Sequence, residues 1–270
     1  MKINLLISCV GRRNYIVQFF KDYMHNDDTI HVSNSNITSA FNEAHFSVVT
    51  PLIKDDKYID FLVDYCVKNK INALLSLFDL DIYVLAKHKS KFDAINVTLL
   101  FSDEKIIEIC NDKWMTYQFL IDHGFKTPLT YLNFDEVIQS LDYQIIKFPI
   151  MLKPRYGTGS IGLYEAKDLE DLVFYTKEAH QLIKRTYIND FNPIDSQLLI
   201  YQEKIVGTEY NLDVINDLNC EYQTTIVKQK LEIRAGETDK AIIIDNDKLK
   251  NVGLNLSQHL KHRLNCDCDL

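Results

Sequence analysis

Three observations predict an α/β fold. Short apolar runs alternate with helical patterns over residues 1–108. A strand–glycine turn–strand unit follows near residue 157. Charged residues, 25% of the 270, are spread along the chain, with no Pro-, Gly- or Ser-rich linker, internal repeat or low-complexity tract. With 46% of residues hydrophobic, the chain can bury a sizeable core and fits one large domain or a few small ones.

The first run, INLLISCV (3–10), reads as a buried parallel strand. A signal peptide is the poorer reading, because the run is short and Gly11-Arg12-Arg13 follows without a small-residue cleavage site. Helical spacing covers 14–24. INALLSLF (71–78) is a second apolar run, ending at Asp79 and Asp81. DIYVLAKHKSKF has helical spacing, and NVTLLFS (96–102) is a further strand. In such sheets ligands sit beyond the carboxyl ends of the strands, where Arg12, Arg13, Asp79 and Asp81 fall. A solvated loop charge is an equally good reading of each.

Asn111 or Asp112 caps a helix through KWMTYQFLIDH, which stops at Gly124, with Pro128 soon after. Asn133 starts another, with Glu136 placed as in a capping box. In YQIIKFPIMLKP, Pro149 marks a strand start or a sheet edge, because it cannot donate to a ladder.

The net charge of −8 argues against broad nucleic-acid binding, which needs clustered Lys and Arg. No run approaches the roughly 20 apolar residues of a membrane helix. Six cysteines, at 9, 66, 110, 220, 266 and 268, form no C-x-x-C pair and read as reduced thiols in a cytoplasmic protein.

Candidate chemistry begins at MLKPRYGTGSIGLYEA (151–166). Gly157, Gly159 and Gly162 give G-x-G-x-x-G, with Lys153 just before them. A dinucleotide fingerprint needs a helix opening at the third glycine. Here LYEA favours a strand, and the next helix opens at Asp168, where DLEDL supplies a cap and an acidic first turn. Walker A fails for want of Gly-Lys-Ser/Thr. The pattern is a hairpin flap. Glycines let backbone N–H groups approach phosphate oxygens, Thr158 and Ser160 add hydroxyls, and Lys153 adds an ammonium. Taken alone, an ordinary Gly-rich hairpin explains the glycines better.

In LLIYQEKIVGTEYNLDVI (198–215), a strand leads through Gln202, Glu203, Lys204 and Ile205 to Gly207, Glu209 and a period-2 strand. Backbone groups there can meet an adenine edge, and the carboxylates can accept ribose hydroxyls. In EIRAGETDKAIII (232–244), Arg234, Gly236, Glu237, Thr238 and Lys240 interrupt two apolar strands, and a loop holding Arg and Lys suits an anionic ligand. A plain charged hairpin is the alternative for each.

In this order, Lys113 at a helix start, MLKPRYGTGSIG, QEKIVGTEY and RAGETDK resemble the ATP-grasp superfamily, in its carbamoyl-phosphate-synthase-like, carboxylate–amine ligase branch. The resemblance covers nearly the whole chain. It implies an ATP-grasp fold preceded by a Rossmann-like pre-ATP-grasp domain at 1–108. Opening helices and a glycine-flap lid (α+β in character) would occupy 109–203, and the other half of the clamp 204–270. It further implies ATP and Mg²⁺ as ligands, with Lys113, Lys153 and the 157–162 turn on the phosphates. Gln202, Glu203 and the Ile205 backbone would lie at the adenine, and Glu209 at the ribose. Arg234 and Lys240 would take catalytic positions, Arg234 facing the transferred phosphate or the acyl phosphate. Such enzymes activate a carboxylate as an acyl phosphate that an amine attacks. The expected partners are therefore a small-molecule carboxylate and an amine, with no nucleic acid and no membrane. Oligomeric state is left open, a homodimer included.

The resemblance places metal ligands near the C-terminus. Asp267 matches the first position, with Asp269 beside it, and the later E-x-N pair is absent from the sequence. The alternating tail NCDCDL reads as a half-buried strand, so the expectation is a polypeptide short of roughly one strand pair. An active ligase and a nucleotide-binding protein without turnover both remain open, and a dehydrogenase ranks lowest.

Overall fold

The expected first strand is β1 (Asn4–Ser8), and it sits at the centre of a five-stranded parallel sheet. In this computed structural model residues 2–157, 159–186, 188–189, 197–234 and 237–270 are described. They divide into two units. The first is 1–107 with 217–221 and 262–264, and the second is the remainder.

In the first unit β1 is followed by α1 (Asn14–Tyr23), β2 (Thr29–Asn34), β3 (Phe46–Val49) and α2 (Tyr58–Asn69). Then come β4 (Ala73–Ser76), α3 (Asp79–Lys87), α4 (Lys89–Asp93) and β5 (Thr98–Leu99). The strand order is β3-β2-β1-β4-β5. Leu5 and Ile7 pack with Val17, Ile30 and Val32, whereas Leu6 packs with Tyr58, Leu62, Leu74, Leu85 and Phe92. Cores on both faces explain why β1 reads as an unbroken apolar run rather than an alternating one. The run at 96–102 forms a strand of only two residues.

The order reverses between β1 and β4, so their carboxyl ends flank the switch point. Asp79 there is exposed, as a solvated charge should be, but Asp81 is fully buried. Ser8 Oγ (2.5 Å), Ser76 Oγ (2.7 Å) and Tyr58 OH (2.7 Å) donate to its carboxylate. The expectation of a solvated charge therefore fails for Asp81. Burial pushes its carboxyl above the usual range, against the pull of these hydroxyls.

Buried His31 on β2 bonds through Nδ1 to Tyr65 OH (2.9 Å) and stacks on Phe46. Desolvation, helped by the charge of His45, pushes its pKa down to about 4 from 6.5. The unfolded chain therefore binds the extra proton between these values. The stabilisation is complete above about pH 6.5 and is lost as pH falls towards about 4, by up to roughly 3 kcal/mol. Urea unfolding of wild type and His31→Asn across pH 4–7 should show the slope flattened in the variant.

The second unit contains two antiparallel sheets. α5 (Glu104–Asn111), whose first half belongs to the first unit, leads into α6 (Lys113–Asp122), β6 (Thr130–Tyr131), α7 (Phe134–Asp142), β7 (Ile150–Pro154), β8 (Tyr164–Ala166), α8 (Leu169–Lys184) and β9 (Leu199–Glu203). The sheet β6-β9-β7-β8 packs on α7 and α8 through Val137, Ile150, Leu152, Leu172, Ala179 and Leu199. β10 (Tyr210–Asn216), β11 (Tyr222–Arg234), β12 (Glu237–Ile244), α9 (Asp247–Leu260) and β13 (Asn265–Asp269) follow. The sheet β12-β11-β10-β13 is covered by α9, through Leu212, Val214, Val227 and Leu256. A Cβ on Gly253 of α9 would overlap Thr225 of β11, so glycine there permits the close helix–sheet contact.

Asp112 caps α6, accepting from Trp114 N (2.9 Å) and Met115 N (3.3 Å), and Asp168 caps α8 through Asp171 N (2.9 Å). The capping box at Asn133 does not form. Its Nδ2 instead donates to Glu136 Oε1 (3.1 Å), so the two side chains satisfy each other. The segment 232–244 also differs from the expected loop between buried strands. Arg234 and Thr238–Lys240 lie in β11 and β12 themselves, and that end of the hairpin is exposed.

Candidate functional site

The glycine stretch runs from β7 through a turn into β8, which pairs antiparallel with β7. It is the hairpin the sequence predicts and not a crossover into a helix. Gly159 and Gly162 have φ of 65° and 75°, in the left-handed region. A Cβ on Gly162 would also come within 3.0 Å of Pro154 Cγ, so a side chain is resisted by both backbone and space. Ser160 is exposed, and Thr158 and Gly236 lie outside the described residues.

Lys113, the first residue of α6, reaches this turn. Its Nζ donates to Gly157 O (2.8 Å) and its N–H to Arg155 O (3.1 Å). The geometry depends on a buried ion pair that sequence reasoning missed. Arg155 Nε and Nη2 donate to the two carboxylate oxygens of Asp112 at 2.8 and 2.6 Å. Tyr156 OH adds a bond to Asp112 (2.7 Å), and Arg155 Nη1 bonds Gln197 Oε1 (2.9 Å). Burial pushes the Asp112 carboxyl up, but Arg155 and Tyr156 outweigh it and hold it below the usual range. One carboxylate thus caps α6 and ties the start of that helix to the strand entering the flap.

Lys153 projects from β7. Desolvation pushes its ammonium down, and the Asp269 carboxylate pulls it back up. Asp269 belongs to a polar face on the second sheet. Register places Asn211 opposite Asp269 and Lys228, and Asp213 opposite Asp267. Side chains alternate along a strand, so Leu212, Val214, Cys266 and Cys268 turn to the α9 core while these polar residues share the other face. Asn211 Nδ2 donates to Asp267 (2.5 Å) and Asp269 (3.1 Å). Lys228 pairs with Asp213 (2.9 Å), and Lys230 pairs with Asp269 (2.7 Å) and approaches Glu209 (3.9 Å). Burial pushes Asp267 up, Asn211 and Lys228 oppose it, and the Asp269 and Asp213 charges add to it.

Two carboxylates, Asp267 and Asp269, share Asn211 Nδ2, and the Oδ1 of Asn211 is buried without a hydrogen-bond partner, a donor set that suits a hard cation of the kind that takes one or two carboxylates. Lysines 153, 228 and 230 supply positive charge of the kind that holds phosphate oxygens.

The other expected residues lie as follows. Gln202 donates to Thr130 Oγ1 (2.8 Å), and Glu203 accepts from Leu129 N (3.1 Å), so both side chains are turned to β6. Ile205 is 63% exposed in the linker between the sheets, beside Lys204, which pairs with Glu165 of β8 (2.6 Å). Lys240 pairs across the hairpin with Glu232 (2.9 Å), and Arg234 lies four residues beyond Lys230, roughly 13 Å along β11. The structure therefore joins Lys113 to the flap and sets Lys153 within the field of Asp269, whose own partners Lys230 and Asn211 reach Glu209 and Asp267. It does not bring Arg234 or Lys240 into that cluster. Asn211, Asp213, Lys228 and Lys230 were missed, although the alternation in YNLDVI and KQK already places each pair on one strand face.

Among the described residues no helix is long and apolar enough to cross a membrane. The family description "PylC-like, N-terminal domain" matches residues 5–100, and "ATP-grasp domain" matches 110–262. A carbamoyl-phosphate synthase of Methanobrevibacter smithii is 21% identical over 220 residues, covering 75% of this chain and 58% of the relative. The biotin carboxylase domain of Hydrogenobacter thermophilus 2-oxoglutarate carboxylase, solved with MgADP, ADP and bicarbonate, aligns with a TM-score of 0.75 at 13% identity. That alignment covers 100% of this chain and 61% of the other. An L-amino acid ligase from Bacillus licheniformis aligns at 0.72 and 16% identity, covering 96% and 62%. The ADP complex of N5-carboxyaminoimidazole synthetase from Staphylococcus aureus aligns at 0.69 and 14% identity, covering 97% and 64%. The chain thus spans about three-fifths of the length of these relatives. At such identities the structural likeness shows the fold. The domain match spans more than half of the residues and shows the family: this chain belongs to the ATP-grasp domain family, with a PylC-like N-terminal domain before it.

Proposed function

We propose that the second unit binds Mg·ATP beneath the glycine flap and that the γ-phosphoryl group activates a carboxylate for attack by an amine. The observation that carries this reading is Lys153, desolvated on the strand entering the flap and within the field of Asp269 on the opposite sheet. Asp267, Asp269 and Asn211 would hold the metal, which supplies charge neutralisation at the phosphates. Lys153, Lys228 and Lys230 would bind the phosphate oxygens, Lys228 and Lys230 exchanging their carboxylate partners for them. The backbone of the 157–162 turn would close over the phosphates, with Lys113 bracing that turn.

In the reaction a carboxylate oxygen attacks the γ-phosphorus and the bond to the β-phosphate oxygen breaks, releasing ADP. The amine nitrogen then attacks the acyl carbon, phosphate departs, and the nitrogen loses a proton. A closed flap excludes water that would hydrolyse the acyl phosphate.

Lys153→Ala is the direct test. Loss of one charge-assisted contact of about 1.5–3 kcal/mol should weaken ATP binding roughly 10- to 150-fold in calorimetry. Unchanged affinity would refute the assignment. ADP release by the wild type across a panel of carboxylic acids and amines tests the ligase step. Tight ATP binding without release from any pair would favour a nucleotide-binding role instead.

A further inference from the structure

Two histidines outside this site meet on the second unit. His123 closes α6, and His259 stands in the last turn of α9. Each Nδ1 lies 2.8 Å from the carbonyl oxygen four residues earlier, of Phe119 and Asn255 respectively. A carbonyl oxygen only accepts, so both Nδ1 atoms carry the proton. Both Nε2 atoms therefore hold a lone pair in the neutral rings. An Nδ1–H bond to a carbonyl is also how metal-ligating histidines are fixed in tautomer and orientation.

The spacing of the rings agrees. Their centroids are 4.9 Å apart with planes at 65°. Two imidazoles on one ion, at a metal–nitrogen distance of about 2.1 Å and a bond angle of about 90–110°, hold their centroids roughly 4.5–5.2 Å apart. Phe119 packs on His123 (4.3 Å) and Phe125 on His259 (5.9 Å), buttressing both rings, which are exposed to solvent. Among the described residues no group of three or more His, Cys, Asp or Glu forms a metal site, so an ion here would take its protein ligands from these two rings.

We propose that His123 and His259 form a two-imidazole site for a borderline divalent cation of the Zn²⁺ and Ni²⁺ class, which ties α6 to α9. Ni²⁺ is the better probe, because cysteine thiolates compete for zinc. Titration of the full chain with NiCl₂ in a non-chelating buffer should show one ion bound per chain and a raised thermal midpoint. Losing a supporting partner of a ligand costs roughly 10–100-fold in metal affinity, so losing the ligand in His123→Ala or His259→Ala should cost at least as much. His123→Gln provides a second variant if alanine unsettles the end of α6. Paramagnetic broadening should reach the imidazole signals of His123 and His259 first. Absence of saturable binding to wild type, or unchanged affinity in both His123 and His259 variants, overturns the proposal.

Discussion

Asp112→Ala should destabilise the second unit by about 3–5 kcal/mol, because it leaves the buried Arg155 guanidinium without its carboxylate. The loss combines two effects. Tyr156 OH and two Arg155 N–H groups lose their acceptor, and α6 loses the cap on Trp114 and Met115, a further contribution of about 1 kcal/mol. Asp112→Asn keeps one oxygen for the cap but not the charge, and should fall between. Urea unfolding ranks the three proteins. The native Asp112 carboxyl lies below its usual range, so its stabilisation is present above about pH 4 and is lost as pH falls through the lower, native value. The alanine variant should lack that acid limb. Its nucleotide affinity should also drop at temperatures where it remains folded, since Asp112 sets the positions of Lys113 and the flap.

Asp81→Ala is expected to cost about 3 kcal/mol in the first unit. The hydroxyls of Ser8, Ser76 and Tyr58 lose their common acceptor at the switch point, and each unsatisfied buried hydroxyl costs about 1–3 kcal/mol. Part of that loss is offset, because burying the carboxylate is itself unfavourable. The sign follows from the raised carboxyl. Its contribution is largest below the unfolded value near pH 4 and is lost as pH rises through the native value. Asp81→Asn keeps an oxygen acceptor and sheds the charge, so at neutral pH it should lie closer to wild type than alanine does. Chemical denaturation of the pair at pH 7 checks the order. An alanine variant as stable as wild type would show that the three hydroxyls find other partners.

How much of this was legible in the sequence depends on whether a residue's partner is local. The β1 run, the Asp112 and Asp168 caps and the strand after Gly162 follow from neighbouring residues, and they form as expected. Asn133–Glu136 was read as a box because of its spacing, but two polar side chains three residues apart can also bond each other. Asp81 was ambiguous because its acceptor role depends on Ser8 and Tyr58, which are 73 and 23 residues away. Arg155 was hidden for the same reason, its carboxylate being 43 residues earlier. The Lys228 and Lys230 pairs depend on strand register, which pattern alone does not supply. Arg234 and Lys240 were assigned by motif order, whereas the paired strands carry them along an exposed hairpin.

The central claim is that a nucleotide's phosphates lie beneath the 157–162 turn, between Lys153 and the Asp267–Asp269 strand. Hydrogen–deuterium exchange of the wild-type chain, with and without Mg²⁺ and a non-hydrolysable ATP analogue at saturating concentration, measures this directly. Slowed exchange in peptides spanning 153–163, 203–210 and 265–270 is the expected result. Binding that leaves those peptides unchanged while protecting the first unit alone would contradict it.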